Sequence, residues 1–463
     1  MLPAPASPHN KLYIAERIQS VMAQRSQAPS AGHEEEVEWY HDFVDLKARP
    51  RADELVALFR ITPAPGFTME DAAGRVASES SVGTWTTLTT LTPGVRRIMA
   101  KAYDIRGDMV RVSYPAELFE GANMPQVLSS VAGNVFGMKA VAGLRLADIA
   151  WPRRLVESFR GAQHGAPGIR KFMKVPRRPL TASVPKPKLG MTAEEHAMHG
   201  YEGWSGGLDL LKDDENLTSQ GFNAFARRAR LCYKYRDRAE KETGERKSYL
   251  INITAETREM EKRAKLVRDL GGEFVMIDIC TTGWAALQTM RNVCGDLHLA
   301  IHAHRAFHAA FSRNPSHGMS MAVLAETARL IGVDQLHIGT AIGKLEATKE
   351  EVVGLRDKVY RARSPGMGWD LDQDWYGKKP LLPVSSGGLH VGLLYPLLDI
   401  LGTDIVVQLG GGIWGHPDGG KAGSKALRDA IDGYLEGKSL EECARQSLEL
   451  RSALKKWGTS TYK

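Results

Sequence analysis

Residues 206–216, GGLDLLKDDEN, decide how the rest of the chain is read. Two glycines open the stretch, a short apolar run follows, and a lysine and three carboxylates close it. In a strand, side chains at i and i+2 share a face. Lys212 and Asp214 therefore point the same way, and Glu215 swings in as the chain leaves the strand. Seven similar runs surround this one: TASVPK (181–186) before it, then SYLINIT (248–254), FVMIDI (274–279), LHLAIHAH (297–304), QLHIGT (335–340), LLPVSS (381–386) and DIVVQLG (404–410). The segments between them, such as TREMEKRAKLVRDLGG (257–272) and KALRDAIDGYLEG (425–437), have helical periodicity, with Gly271 and Gly437 where C-terminal caps belong. Eight strand–helix units over about 280 residues predict a (β/α)8 barrel, a fold of typically about 250 residues.

Barrels of this kind build their active sites at the C-terminal ends of the strands, and here nearly every end carries chemistry. Lys186 and Lys188 follow the first strand. Lys212, Asp214 and Glu215 follow the second; Asn252 and Asp278, less distinctive, follow the third and fourth. His302, His304 and Arg305 follow the fifth, His337 and then Lys344 the sixth, Ser385-Ser386-Gly387-Gly388 the seventh, and Gly410-Gly411-Gly412 the eighth. Taken alone, the acidic cluster reads either as an Mg²⁺ ligand pair, since that ion takes oxygen ligands, or as a partly solvated charge cluster at a helix start. Lys212 would weaken metal binding as a cation, whereas a carbamate formed with CO2 would add a third oxygen ligand. The glycine-rich turns read as plain turns or as anion cradles whose N–H groups face a phosphate. Arg305, His337 and Ser386 could hold a second phosphate, so two anion sites across one mouth point to a bisphosphate. A zinc pair at His302 and His304 is conceivable, but no Cys falls at a zinc spacing from them.

The chain has 463 residues, 43% hydrophobic and 25% charged, which excludes bulk disorder and a disulfide-stapled miniature fold. The net charge of +7 is diffuse, so it names no nucleic-acid partner. Cys232, Cys280, Cys294 and Cys443 form no CxxC pair and read as buried free thiols in a reducing compartment. The most apolar stretch, 387–402, is interrupted by His390 and Pro396, and the start of the chain lacks the features of a secretory signal, so no membrane span is expected and the cytoplasm is the default address. Three parts are expected: a flexible extension over 1–36, an α+β domain over 37–160 and the barrel over 161–463. Within the second, 44–64 reads as leading into a strand, 69–81 as a helix, WTTLTTL (85–91) as β-rich and MVRVSYP (109–115) as a strand of period two.

SVPKPKLG (183–190), GGLDLLKDDEN, HAHRAFH (302–308), HIGTAIGKLE (337–346), PVSSGG (383–388) and QLGGGIWGHPDG (408–419) occur in this order on successive strands. With ESSVGTWT (79–86) and GNVFGMKA (133–140) upstream, the chain from about Trp39 onward resembles the large subunit of ribulose-1,5-bisphosphate carboxylase/oxygenase. DDENLTSQ (213–220) and DQDWYGKKP (372–380) are most similar to the archaeal-type form III enzymes. The resemblance implies an α/β protein, a (β/α)8 TIM barrel preceded by an α+β, ferredoxin-like domain. It implies Lys212 as the carbamylated lysine, holding Mg²⁺ with Asp214 and Glu215, and acting as base when the C3 proton of ribulose bisphosphate leaves to form an enediolate. Lys186 would transfer protons, Lys188 support it, His304 assist hydration, and Lys344 close over the site on its loop as CO2 or O2 adds. Substrate contacts would include Arg305, His337, Ser386, Gly387, Gly388, Gln408, Leu409, Gly410 and Gly411. Glu79, Thr84, Trp85 and Asn134 complete that set; Glu79, Thr84 and Asn134 match positions supplied by the neighbouring subunit, so the resemblance implies a homodimer or an oligomer of dimers with shared sites, and no small subunit is expected. One departure is Val184-Pro185 ahead of KPK, which stiffens the approach of Lys186. Two other readings compete: a related enolase or isomerase acting on a phosphorylated sugar or thio-sugar, and a catalytically silent barrel used for binding.

Overall fold

A computed structural model describes residues 39–342, 348–366, 368 and 370–460; the expected extension (1–36) and Lys344 lie outside the described residues. The first domain is a sheet of β1 (Leu55–Pro63), β2 (Lys101–Arg106), β3 (Met109–Tyr114) and β4 (Val141–Ala150), in the order β4-β1-β3-β2, with all neighbours antiparallel. Helix Met69–Glu79 joins β1 to β2 and helix Met124–Val131 joins β3 to β4, the split βαβ arrangement of ferredoxin-like domains. Along β1, Leu55, Ala57, Phe59 and Ile61 enter the core beside Ala73 and Val76, while Leu58 packs on the other face with Met109 and Leu371. A capping box starts helix Met69–Glu79: Thr68 Oγ1 accepts from the Asp71 N–H, and the Asp71 carboxylate accepts from the Thr68 N–H at 3.0 Å. The stretch 85–91 is not a strand, contrary to expectation. It forms turns between Gly83 and Pro93, and β-favouring Thr and Trp residues without a strand to pair with do not make a ladder.

The barrel strands are β5 (Leu180–Ser183), β6 (Leu210–Lys212), β7 (Ser248–Asn252), β8 (Phe274–Asp278) and β9 (Ala300–His304). After the two-residue β10 (Gly318–Met319) come β11 (Gln335–Gly339), the paired two-residue β12 (Arg363–Ser364) and β13 (Gln373–Asp374), and then β14 (Leu382–Ser386) and β15 (Val406–Leu409). The closed order is β5-β6-β7-β8-β9-β11-β14-β15, parallel throughout, with β15 returning to β5 through Val406↔Leu180 and Leu409↔Ser183. Each of the eight runs marked in the sequence lies on one of these strands. Nearly every strand residue is buried, as expected where one face meets the barrel interior and the other the surrounding helices. At the N-terminal end of the strands, helix Gly165–Met173 plugs the interior: Ala166, Ile169 and Met173 pack against Leu180, Leu210, Leu250, Phe274 and Val406. The foot is thereby sealed with apolar side chains, which leaves the opposite end for polar groups.

Among the contacts that join the domains, two bear on the barrel's attachment. The short β10 adds to the first sheet, parallel to β4. Beside it, Lys358 Nζ donates to Asp148 on β4 at 2.8 Å and to Glu326 Oε1 at 2.7 Å, while Trp151 Nε1 donates to Glu326 Oε2, all buried. Cys232, Cys294 and Cys443 are buried free thiols, and Cys280 is half-buried. Among the described residues no helix is long and apolar enough to cross a membrane.

Candidate active site at the barrel mouth

Lys212, the last residue of β6, is wholly buried. Its Nζ donates to the Asp213 carbonyl at 2.8 Å and lies 3.8 Å from Glu215 Oε2. Burial drives its pKa below the ordinary lysine value, against the pull of Glu215, Asp278, Asp214 and Asp213. Lys186, beyond β5, donates from Nζ to Asp214 Oδ2 at 2.9 Å. The stiff Val184-Pro185 pair thus leaves it in reach of the acidic cluster. Burial raises the Asp214 carboxyl, but hydrogen bonds from Lys186 and from the Asn216 backbone and side chain outweigh it, and the group stays ionised below its ordinary value.

Three imidazoles fill the adjoining wall. His302 Nε2 meets His337 Nε2 at 2.9 Å, His337 Nδ1 meets Ser386 Oγ at 2.8 Å, and the His304 ring lies against that of His337. His304 Nδ1 is 3.0 Å from Asp278 Oδ1, and its Nε2 is 3.6 Å from Glu215 Oε2. Burial, helped by the nearby Lys212 charge, holds the His302 and His304 pKa values far below normal; burial and the neighbouring rings do the same for His337. These rings are neutral at physiological pH. Burial also pushes the Asp278 carboxyl up to about 6.

Arg305 is the outlying charge. Among the described residues no carboxylate or carbonyl pairs with its guanidinium, and burial lowers its pKa to about 10. Gly339, at the end of β11, makes room for it, because a Cβ there would stand 2.8 Å from Arg305 Nη2. Across β14, Gly387 and Gly388 both have positive φ, at 124° and 69°, so the chain turns there with a backbone that side chains disfavour. Gly410 lies against Lys186, with room for a Cβ only at 3.3 Å from Cε. Gln408 is buried, its Oε1 has no hydrogen-bond partner among the described residues, and Leu409 is buried beside it.

A family model for the ribulose bisphosphate carboxylase large chain, catalytic domain, matches residues 165–457, and one for the N-terminal domain of the same chain matches 42–155. The chain belongs to the ribulose bisphosphate carboxylase large-chain family. A ribulose bisphosphate carboxylase of Pyrococcus abyssi is 53% identical over 426 residues, covering 91% of this chain and 97% of the relative. The solved dimeric archaeal Rubisco of Hyperthermus butylicus superposes with a TM-score of 0.87 at 48% identity, covering 91% of this chain and all of that one. The octameric Rubisco of Pyrococcus horikoshii, solved with sulfate, gives 0.85 at 52% identity, covering 92% and 98%.

Within this Rubisco fold the expected residues fall into two groups. Lys186, Lys212, Asp214, Glu215, His304, Arg305, His337, Ser386, Gly387, Gly388, Gln408, Leu409, Gly410 and Gly411 lie at or just beyond the C-terminal ends of the barrel strands. Lys188 is there too but exposed, with no hydrogen bond or ion pair of its own among the described residues. Glu79, Thr84, Trp85 and Asn134 sit on the first domain, and among the described residues no hydrogen bond or ion pair ties them to the mouth of their own barrel. Trp85 is 72% exposed. One supporting residue, Asp213, escaped the sequence reading, and two that were noted only as strand ends, Asn252 and Asp278, gain partners here. Asp213 faces away from the mouth into a buried network, Asn252 Nδ2 donates to the Asp214 and Glu215 carbonyls, and Asp278 partners His304. Strand alternation at 212–214 was the available signal for Asp213. For Asn252 and Asp278 the signal was only their place at strand ends.

Proposed function

We propose that the barrel mouth carboxylates ribulose 1,5-bisphosphate: CO2 and water are added, the C2–C3 bond breaks, and two 3-phosphoglycerates leave, with O2 as a competing co-substrate. The observation that carries this is Lys212, an amine wholly buried against acidic neighbours and driven toward its uncharged form. An uncharged amine is the form that attacks CO2. The nitrogen bonds to the carbon, one proton leaves the nitrogen, and a carbamate with two oxygens results. Among the described residues no three His, Cys, Asp or Glu side chains are grouped for a metal, so Asp214 and Glu215 need this third oxygen donor to make an Mg²⁺ set. When bound, Mg²⁺ supplies polarisation of the substrate carbonyl and stabilisation of the charge that grows on its oxygen.

The chain's own groups do the rest. The Lys212 carbamate takes the C3 proton. Lys186, held by Asp214, returns a proton to the final carbanion, with Lys188 supporting it, and His304 serves hydration from the Glu215 side. Lys344 stabilises the new carboxylate. Arg305, His337 and Ser386 with Gly387 and Gly388 hold one phosphate, and the β15 turn at Gln408–Gly411 receives the other with the Thr84–Trp85 corner. Because Glu79, Thr84 and Asn134 sit on the first domain and, among the described residues, make no hydrogen bond or ion pair to the mouth of their own barrel, they serve a second copy's mouth, and the working unit is a homodimer or an assembly of dimers. It acts in the cytoplasm, in three parts: the extension (1–36), the first domain (37–160) and the barrel (161–463).

Incubation with ribulose bisphosphate, Mg²⁺ and labelled bicarbonate tests this through acid-stable label in 3-phosphoglycerate. No label above a folded Lys212→Ala control overturns it, and enolised or isomerised sugar phosphate without label would then favour the enolase reading. Mixing inactive Lys212→Ala and Asn134→Ala subunits restores about a quarter of full activity if sites are shared, since half the dimers then hold one intact site of two.

A further inference from the structure

We infer that Asp213, with Arg228, His196, Tyr249 and Asn252, is a positioning clamp that sets the Mg²⁺ affinity of the mouth from behind the metal-facing side chains. This rests on the proposed role of Lys212, Asp214 and Glu215. Asp213 lies between Lys212 and Asp214 in sequence but points the opposite way, and its side chain is fully buried. One carboxylate there receives five donors. Tyr249 O–H and His196 Nε2 reach Oδ1, the latter at 3.1 Å; Arg228 Nε and Nη2 reach Oδ2 at 3.2 and 3.1 Å, as does the Asn252 backbone N–H at 2.9 Å. A carboxylate offers about four lone-pair positions, so this one is saturated.

The same donors also hold the connection that carries the ligands. Arg228 Nη2 donates to the Thr218 carbonyl at 2.8 Å, and Nη1 to the Asn223 carbonyl at 2.9 Å and its side-chain oxygen at 3.2 Å. Asn252 Nδ2 donates to the Asp214 carbonyl at 3.4 Å and the Glu215 carbonyl at 3.2 Å. The loop from Asp213 to Asn223 is therefore stapled at its start, its ligand residues and its end. The staples belong to β7 and to helix Phe225–Thr243, both rigid parts of the barrel. Groups that orient ligands typically change metal affinity 10–100-fold when removed.

The test measures Mg²⁺-dependent carbamate formation with ¹³C-bicarbonate by NMR, alongside thermal unfolding, on the full chain. Asp213→Asn puts an amide N–H among donors and is expected to raise the half-saturating Mg²⁺ concentration at least ~10-fold. Tyr249→Phe and His196→Gln, which keep the Asp213–Arg228 pair and the fold, are expected to raise it ~2–5-fold. The double variant Asp213→Asn/Arg228→Gln removes both buried charges and is expected to recover melting temperature but not Mg²⁺ affinity. Wild-type Mg²⁺ dependence in Tyr249→Phe and His196→Gln, or Mg²⁺ affinity that returns with stability in the double variant, overturns the clamp. If wild-type protein forms no Mg²⁺-stabilised carbamate above a Lys212→Ala control, it is the proposed function that fails, not the clamp.

Discussion

Both ends of the barrel carry charged side chains, but the foot pairs them more completely than the mouth does. At the foot the charges are matched. Arg178 grips Asp209 with two bonds of 2.6 and 2.7 Å, Arg428 meets Glu245 at 2.9 Å, and Glu273 takes both Arg236 and Arg246. Asp209 also accepts from the Thr181 backbone and hydroxyl, so its lone pairs are filled. At the mouth Lys186 pairs with Asp214, but among the described residues Arg305 has no such partner, Lys212 meets only a backbone carbonyl at hydrogen-bond distance, and Lys188 is exposed. Matched buried charge fixes a fold, whereas unmatched charge near the surface of a cleft is available to a ligand. In barrels generally, the strand N-terminal face serves stability and the C-terminal face serves catalysis.

Substitutions at each end separate the two uses. Lys212→Met keeps the volume and removes the amine; turnover is expected to fall ~10⁴-fold, about 5.4 kcal/mol of transition-state stabilisation, with the melting temperature unchanged. A retained activity above that floor would move the chemistry elsewhere. Asp209→Ala leaves the half-buried Arg178 without its carboxylate and the Thr181 donors without their acceptor, and is expected to cost about 3 kcal/mol of stability, seen in a denaturant titration, while KM for the bisphosphate in the surviving folded enzyme stays put. Arg305→Met is expected to cut kcat/KM ~100-fold, about 2.7 kcal/mol, chiefly through KM, with little loss of stability because among the described residues no carboxylate or carbonyl pairs with that guanidinium. A large loss of stability there would erase the contrast between the ends.

This contrast explains what could be read from the chain and what could not. Period, run length and glycine placement report backbone geometry, so all eight barrel strands and the mouth residues at their ends were visible in order. WTTLTTL misled because β propensity says nothing about whether a partner strand is present. Asp213 was passed over because it sits in the same charge cluster as the mouth residues, and only its burial against Arg228, fifteen residues on, shows that it faces the other way. Partners drawn from different strands and helices, such as Asn252 under Asp214 or Asp148 against Lys358, leave no local pattern at all.

The seam between the domains offers the finest test, since it buries charge away from both ends. Glu326 faces Lys358, Asp148, Trp151 and the nearby Arg329. Burial pushes its carboxyl up to about 8, with Asp148 adding to the rise and Lys358 opposing it. In the unfolded chain the group titrates near its ordinary 4.5. Between those values the folded protein holds a proton that the unfolded chain releases, so stability falls as pH climbs through that window and levels off above it. The expected loss between pH 6 and 8 is about 2 kcal/mol. Glu326→Gln keeps the hydrogen-bonding shape without a titrating group and leaves Lys358 to Asp148, so the slope of melting temperature against pH flattens over this range. An unchanged slope would assign the pH dependence to other groups. A flattened slope with an unchanged pH profile of kcat would show that buried charge outside the mouth acts on the fold and not on turnover.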